Sequence, residues 1–266
     1  MNPMLNIAIR AARKAGNIIA KGYERYADVQ VLQKNPNDYV TNIDKEAEAA
    51  IIEIIRKSYP EHTIIGEESG AIEGQDQDVQ WVIDPLDGTT NFMKGLPHFS
   101  ISIAIRVKGR TEVGVVYDPI RNELFTAVRG EGAKLNDQRL RVDNKTELTG
   151  AILATGFPFK QSKHMPMQFA MMNALIADCA DFRRTGSAAL DLCYVAAGRV
   201  DGFFEIGLKP WDCAAGDLMI REAGGIVCDY FGGHTYLTSG HIVAGAPRLV
   251  KDILNKIQPC ITHEVK

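Results

Sequence analysis

The chain has 266 residues, 45% of them apolar, and a formal charge of −3. That much apolar material supports a substantial core, as one large domain or two closely packed lobes, and excludes a linker or a disordered chain. Without a net basic field, direct nucleic-acid or membrane-surface binding is not expected, and an anionic substrate would need metal ions to supply positive charge.

Leu5, Ala8, Ile9, Ala12, Ala15, Gly16 and Ile19 recur at helical spacing, so the chain opens on an amphipathic helix. Its basic, acid-free start faintly resembles a transit peptide, but no cleavage signal follows. Residues 34–38, Lys-Asn-Pro-Asn-Asp, read as a loop. Thr41 then opens a second helix with an apolar stripe through Ile43, Ala47, Ile51 and Ile55, closed by Tyr59-Pro60. Asp44, three residues after Thr41, fits a capping box in which Asp replaces the usual Glu or Gln. A short strand over 62–66 delivers Glu67 and Glu68 to its end, the place where α/β proteins put their chemistry. Residues 70–78 are polar and acidic and read as a surface loop.

An apolar strand over 79–83 follows and breaks at Asp84-Pro85, because proline has no N–H for a ladder and holds the preceding residue extended. Asp87-Gly88 is a second turn signal, and Thr89 can open a helix whose unpaired N–H groups face that turn. Either aspartate alone would be an ordinary turn residue. Together, in one break after a buried strand, they suit a hard divalent cation beside a phosphate.

Runs over 100–107, 112–117 and 123–128 form an antiparallel meander. The polar stretch 143–149 marks a lobe boundary, giving an N-terminal α+β lobe, 1–145, and a C-terminal α/β lobe, 146–266. The second lobe alternates: strand 151–155, helices 165–180 and 187–198, strand 202–206, helix 211–223, strands 226–229 and 242–244, helix 247–257. Asp212 fits a helix N-cap worth about 1 kcal/mol, Glu205 ends a strand, and Arg183-Arg184 reads as a small surface pair. The five cysteines are scattered without a Cys-x-x-Cys pair, which points to reduced thiols in a cytosolic protein. No apolar run approaches a membrane span.

Gly66-Glu67-Glu68-Ser69, the run from Trp81 to Asn91, and Trp211-Asp212 through Glu222-Ala223-Gly224-Gly225 stand in order and at suitable separation. Together they resemble the inositol monophosphatase family of magnesium-dependent, lithium-sensitive phosphatases, and the resemblance covers nearly the whole chain. Residues 6–16, 149–159 and 182–207 are most similar to its bacterial SuhB branch. The resemblance implies a mixed α+β and α/β fold, the layered αβαβα sandwich of the sugar phosphatases, with Mg2+ as cofactor and a cytoplasmic homodimer as the assembly. It implies that Glu67, Asp84, Asp87, Asp212 and the backbone carbonyl of Leu86 hold the metals. Asp87, Gly88, Thr89 and Asp212 would line the phosphate and inositol site, with Ala188 and Glu205 contacting the sugar-alcohol. Asp44 would orient Thr89, and Glu67 and Thr89 would orient or deprotonate the attacking water.

The activity implied is hydrolysis of myo-inositol 1-phosphate and related polyol monophosphates. A 3′-phosphonucleotide or fructose bisphosphate phosphatase is the runner-up within that class. A haloacid dehalogenase would need an Asp-x-Asp nucleophile near the start, and a kinase or ATPase a Walker A loop, and both motifs are missing. A binding role is the alternative of different class, since the SuhB branch is associated with transcription antitermination at ribosomal RNA operons through the elongation factor NusA. Arg183 and Arg184 are candidates for such a partner face or for the dimer contact, because arginine is enriched at interfaces. Arg183 could instead reach substrate from beside residues 186–188.

Overall fold

The computed structural model describes residues 2–25, 29–35 and 38–262. Helix α1 (Pro3–Glu24) is capped by the Asn2 side chain, which accepts from the Met4 and Leu5 N–H groups. Strands β1 (Val31–Asn35) and β2 (Asp38–Thr41) form a small antiparallel ladder. The expected loop over 34–38 is therefore largely strand, and residues 36 and 37 lie outside the described residues. Helix α2 (Asn42–Ser58) packs on α1, burying Ala8, Ala12 and Ile19 against Ala47, Ile51 and Ile55.

An eight-stranded sheet follows, built from β3 (His62–Gly66), β4 (Gly70–Ile72), β5 (Asp76–Asp87), β6 (Ser100–Val107), β7 (Arg110–Asp118), β8 (Glu123–Val128), β9 (Gly132–Leu135) and β10 (Gln138–Arg139). Its order is β10-β9-β8-β7-β6-β5-β3-β4, antiparallel except for the β3–β5 pair. The meander from β6 to β8 is as expected. Residues 70–78 are not all loop, since β4 and the start of β5 lie there. One-turn helix α3 (Thr89–Met93) leaves the end of β5.

The second sheet has the order β12-β11-β13-β15-β14, from β11 (Ile152–Thr155), β12 (Asp181–Arg183), β13 (Gly202–Glu205), β14 (Ile226–Cys228) and β15 (Ile242–Gly245). Between the sheets lie α5 (Ala188–Ala196) and α6 (Pro210–Glu222). All of α5 except Tyr194 is buried. A helix apolar on every side is one covered on every side, and here a sheet lies on each flank. Helices α4 (Met165–Ile176) and α8 (Pro247–Ile257) cover the outer face of the second sheet, and short α7 (Tyr236–Ser239) packs against α6. The layers read α, β, α, β, α. Helix α4 stops at Ile176, four residues before the expected end.

The strand break differs from expectation in a way that matters. β5 does not end at Asp84; it continues to Asp87 through a bulge, with Asp84 opposite Ser102 and Asp87 opposite Ser100. Three steps along β5 match two along β6. The extra residue brings Asp84 and Asp87 onto one face, since positions two apart on β6 share a face, and a bulge is also where a strand accepts proline.

Arg199, just after α5, ties the middle layer to β8 through a two-pronged pair with Glu123, at 2.6 and 2.7 Å. The Arg199 hydrogen bond holds the Glu123 carboxyl below its ordinary 4.5. A depressed pKa adds stability above the unfolded value and loses it as pH falls through the folded one. Glu123→Gln is expected to cost about 1 kcal/mol at pH 7, allowing for solvent screening of the half-exposed arginine. Denaturant titrations should show that deficit shrinking below pH 4.5, and a deficit constant from about pH 7 to about pH 3.5 would show that the charge is not its source.

All five cysteines are unpaired. Among the described residues, no helix is long and apolar enough to cross a membrane.

Candidate active site

A cavity of about 830 Å³ opens where the chain leaves β3, β5, β11 and β13 and enters α3, α5 and α6. Its wall includes Glu67, Asp84, Leu86, Asp87, Gly88, Thr89, Ala188, Glu205 and Asp212. Nine positions expected at the site thus meet in one place, although they come from both sheets.

Asp84 and Asp212 are held by local backbone, and Asp87 by the start of α5. Asp84 Oδ1 accepts the Leu86 N–H at 3.0 Å, inside the bulge. Asp87 Oδ2 accepts the Ser187 hydroxyl at 2.7 Å and the Ala189 N–H at 2.8 Å, so a carboxylate from the first sheet caps α5. Asp212 is not the N-cap of α6, which is Lys209, but the third residue of the helix, and its Oδ2 accepts the Lys209 N–H at 2.6 Å while it also lines the cavity. Each of these bonds engages one oxygen of its carboxylate. Gly88 caps α3 with φ +102°, a conformation that glycine tolerates, and an added Cβ would come within 3.1 Å of the His98 carbonyl oxygen.

Asp44 lies one layer behind. Its Oδ2 accepts both the N–H and the hydroxyl of Thr41, at 2.9 and 2.5 Å, completing the expected capping box. Its Oδ1 accepts the Thr89 hydroxyl at 3.0 Å. Cap and link to Thr89 therefore coexist, one oxygen for each. The Thr89 hydroxyl also lies 3.1 Å from the Leu86 carbonyl oxygen.

Crowding of acids dominates the electrostatics. Burial, reinforced by the charges of Glu67, Asp87 and Asp212, pushes Asp84 well above the carboxylate range. Asp212 is raised by burial and by Glu67 and Asp87. Asp87 is raised by burial to about 6, held down by its bonds to Ser187, Ala189 and Ala188. Lys160 Nζ, 3.8 Å from Glu67, is a cation on the same wall. Among the described residues, no three His, Cys, Asp or Glu side chains are closed around one point. The donor set is nevertheless all oxygen, four carboxylates and the Leu86 carbonyl without imidazole or thiolate, which fits a hard cation such as Mg2+.

Arg183 is not brought to the cavity. It sits in β12, bonded to Asp181 Oδ2 and to the Phe182 carbonyl oxygen. The next residue, Arg184, is the one that lines the cavity, its guanidinium over the rings of Phe157 and Phe159 at 5.9 and 5.4 Å. Arg183 is the last residue of β12, and Arg184 is the first past its end, where the chain turns toward α5.

Several cavity-wall residues went unnoticed in the sequence. Ser187 carried a signal, standing as an N-cap before an apolar helix. Asn91 ties α3 to the loop before α5, donating to the carbonyls of His98 and Thr185 at 2.7 and 2.9 Å. Asp191 is buried and accepts the Thr185 hydroxyl at 2.7 Å, and burial raises it to about 8. Lys160 and Gly156 had no local pattern to mark them.

The fold and this acid-lined cavity define an α/β protein of the sugar-phosphatase architecture. The inositol monophosphatase family model matches residues 1–263, and the chain belongs to that family. It is 79% identical, over the full length of both chains, to a Pasteurella multocida protein named Nus factor SuhB. The solved extragenic suppressor protein SuhB of Bartonella henselae superposes with a TM-score of 0.95 at 41% identity, covering 98% of this chain and all of that one. An inositol monophosphatase from Anabaena gives 0.87 at 36% identity, covering 99% and 98%.

Proposed function

We propose that the chain is a Mg2+-dependent phosphate monoester hydrolase acting on myo-inositol 1-phosphate and related polyol monophosphates. The observation that carries this reading is the all-oxygen acid set at a cavity where α3, α5 and α6 all begin. Carboxylates there suit hard cations, and helix starts suit a phosphate. The name and fold of the Anabaena relative support the choice of substrate.

Glu67, Asp84, Asp87, Asp212 and the Leu86 carbonyl would hold Mg2+, which supplies the positive charge that stabilises the phosphoryl oxygens. When the Thr89 hydrogen goes to Asp44, at 3.0 Å, and not to the Leu86 carbonyl, at 3.1 Å, a Thr89 lone pair can accept a hydrogen bond from the attacking water. Burial raises Asp44 above its ordinary 3.8 against the pull of its Thr41 and Thr89 bonds, which suits a carboxylate that receives a proton through Thr89. Glu67 orients the same water. Glu205 and Ala188 would face the alcohol half of the substrate.

Phosphate release from myo-inositol 1-phosphate is expected with magnesium, lost in chelator and restored by added magnesium. Adenosine 3′,5′-bisphosphate should react at least about tenfold more slowly, because the Glu205 carboxylate accepts from polyol hydroxyls and gains nothing from a second phosphate. Full turnover in chelator would sink the metal assignment. Equal or reversed rates would move the chain to the nucleotidase class.

A second role is supported by the Nus factor name of the Pasteurella relative. We propose that this chain also acts in the cytoplasm as a homodimer that binds a transcription factor, NusA being the candidate, through a face outside the cavity. Phe169 and Ile176, both on α4, are exposed apolar side chains suited to a protein contact. Asp87→Asn should keep NusA binding while losing phosphate release, with sedimentation reading the dimer. Loss of binding by the folded variant would show that the two roles share one site.

A further inference from the structure

β11 and β13 run parallel with Thr155 opposite Phe204, so the next pair along, where both strands enter the cavity, is Gly156 and Glu205. A Cβ on Gly156 would stand 2.1 Å from Glu205 Oε1, 2.3 Å from Cδ and 2.5 Å from Oε2. The whole carboxyl head therefore occupies the place that any other residue at 156 would give to its side chain. Gly156 is not in the left-handed region, so glycine is required there for space and not for conformation.

We propose that Gly156 is a positioning residue that sets selectivity for the alcohol half of the substrate. By leaving its Cβ position to Glu205, it lets that carboxylate lie low across β11, with the cavity open above it for the hydroxyls of a polyol ring. This deepens the polyol-phosphatase reading and rests on it. The atoms that a methyl group at 156 would meet are the far end of a flexible side chain and not backbone. Alanine is accommodated by swinging the Glu205 head upward into the space meant for the ring, with the fold kept. Aspartate at 205, one methylene shorter, withdraws the head from the added methyl.

The test compares kcat/KM for myo-inositol 1-phosphate with that for p-nitrophenyl phosphate, which offers no hydroxyl to Glu205. In Gly156→Ala the ratio of the two should fall about 10- to 100-fold, the effect of losing hydrogen bonds to a buried carboxyl group. The double variant Gly156→Ala/Glu205→Asp should recover at least about tenfold of that ratio. An unchanged ratio in Gly156→Ala, or no recovery in the double variant, overturns the proposal. If Gly156→Ala fails to fold, folding of the double variant identifies the same clash and supports the proposal, and failure of both overturns it. Wild-type protein inert toward both compounds overturns the functional reading and this inference with it, whereas activity on both with an unchanged ratio overturns this inference alone.

Discussion

Asp87→Asn is expected to lower phosphate release from myo-inositol 1-phosphate by at least about a thousandfold while leaving the protein folded. Asparagine can keep the structural half of the residue, because its carbonyl oxygen can accept from Ser187 and Ala189 as Asp87 Oδ2 does. Its amide then points to the ligand side, placing a donor where a cation needs an acceptor. The neutral side chain also removes a charge that raises both Asp84 and Asp212. Without metal, the variant should therefore melt a few degrees above the wild type, since like charges buried together oppose folding. Added magnesium should raise the melting temperature of the wild type and not of the variant. Turnover within tenfold of wild type, or equal magnesium shifts in the two proteins, would remove Asp87 from the metal site.

Asp44→Asn should lower kcat about 100- to 1,000-fold with KM little changed, the signature of a group that acts in the transition state. Asp44 accepts at both oxygens, from Thr41 at one and from Thr89 at the other. An amide there must turn its NH2 toward one of them. Facing Thr89, it donates to the hydroxyl and takes the lone pair intended for water. Facing Thr41, it breaks the cap of α2 and costs about 1 kcal/mol of stability. Thr89→Ser keeps the hydroxyl and should retain most of kcat. A variant Asp44→Asn that raises KM at constant kcat would assign Asp44 to binding alone.

Elements whose evidence is local were legible. The 3.6-residue stripe of α1, the β-rich runs of the meander and the Asp84-Pro85 and Asp87-Gly88 breaks depend on neighbours a few residues away. Those breaks were located correctly and their shape was not. Whether a proline ends a strand or sits in a bulge depends on β6, which continues to pair beyond it at Ser100. Residues 34–38 and 70–78 looked like loops because polar composition hides short edge pairing.

From sequence alone come the acids, their placement at element ends, and the resemblance that connects them. Apart from what that resemblance implied, the Asp44–Thr89 link included, tertiary structure decided which side chains meet. Asp44 and Thr89 are 45 positions apart, and Asp87 and Ser187 are 100 apart. Nothing in the chemistry of either partner names the other until α2 packs on the first sheet and α5 closes over the bulge. The same holds for Gly156 and Glu205, neighbours only because β11 and β13 pair in one register. Arg183 and Arg184 are indistinguishable in composition, and only the second, just past the end of β12, lines the cavity. Local propensity acts over a few residues, while a site is assembled by packing between layers, and burial of their apolar faces sets which ends converge.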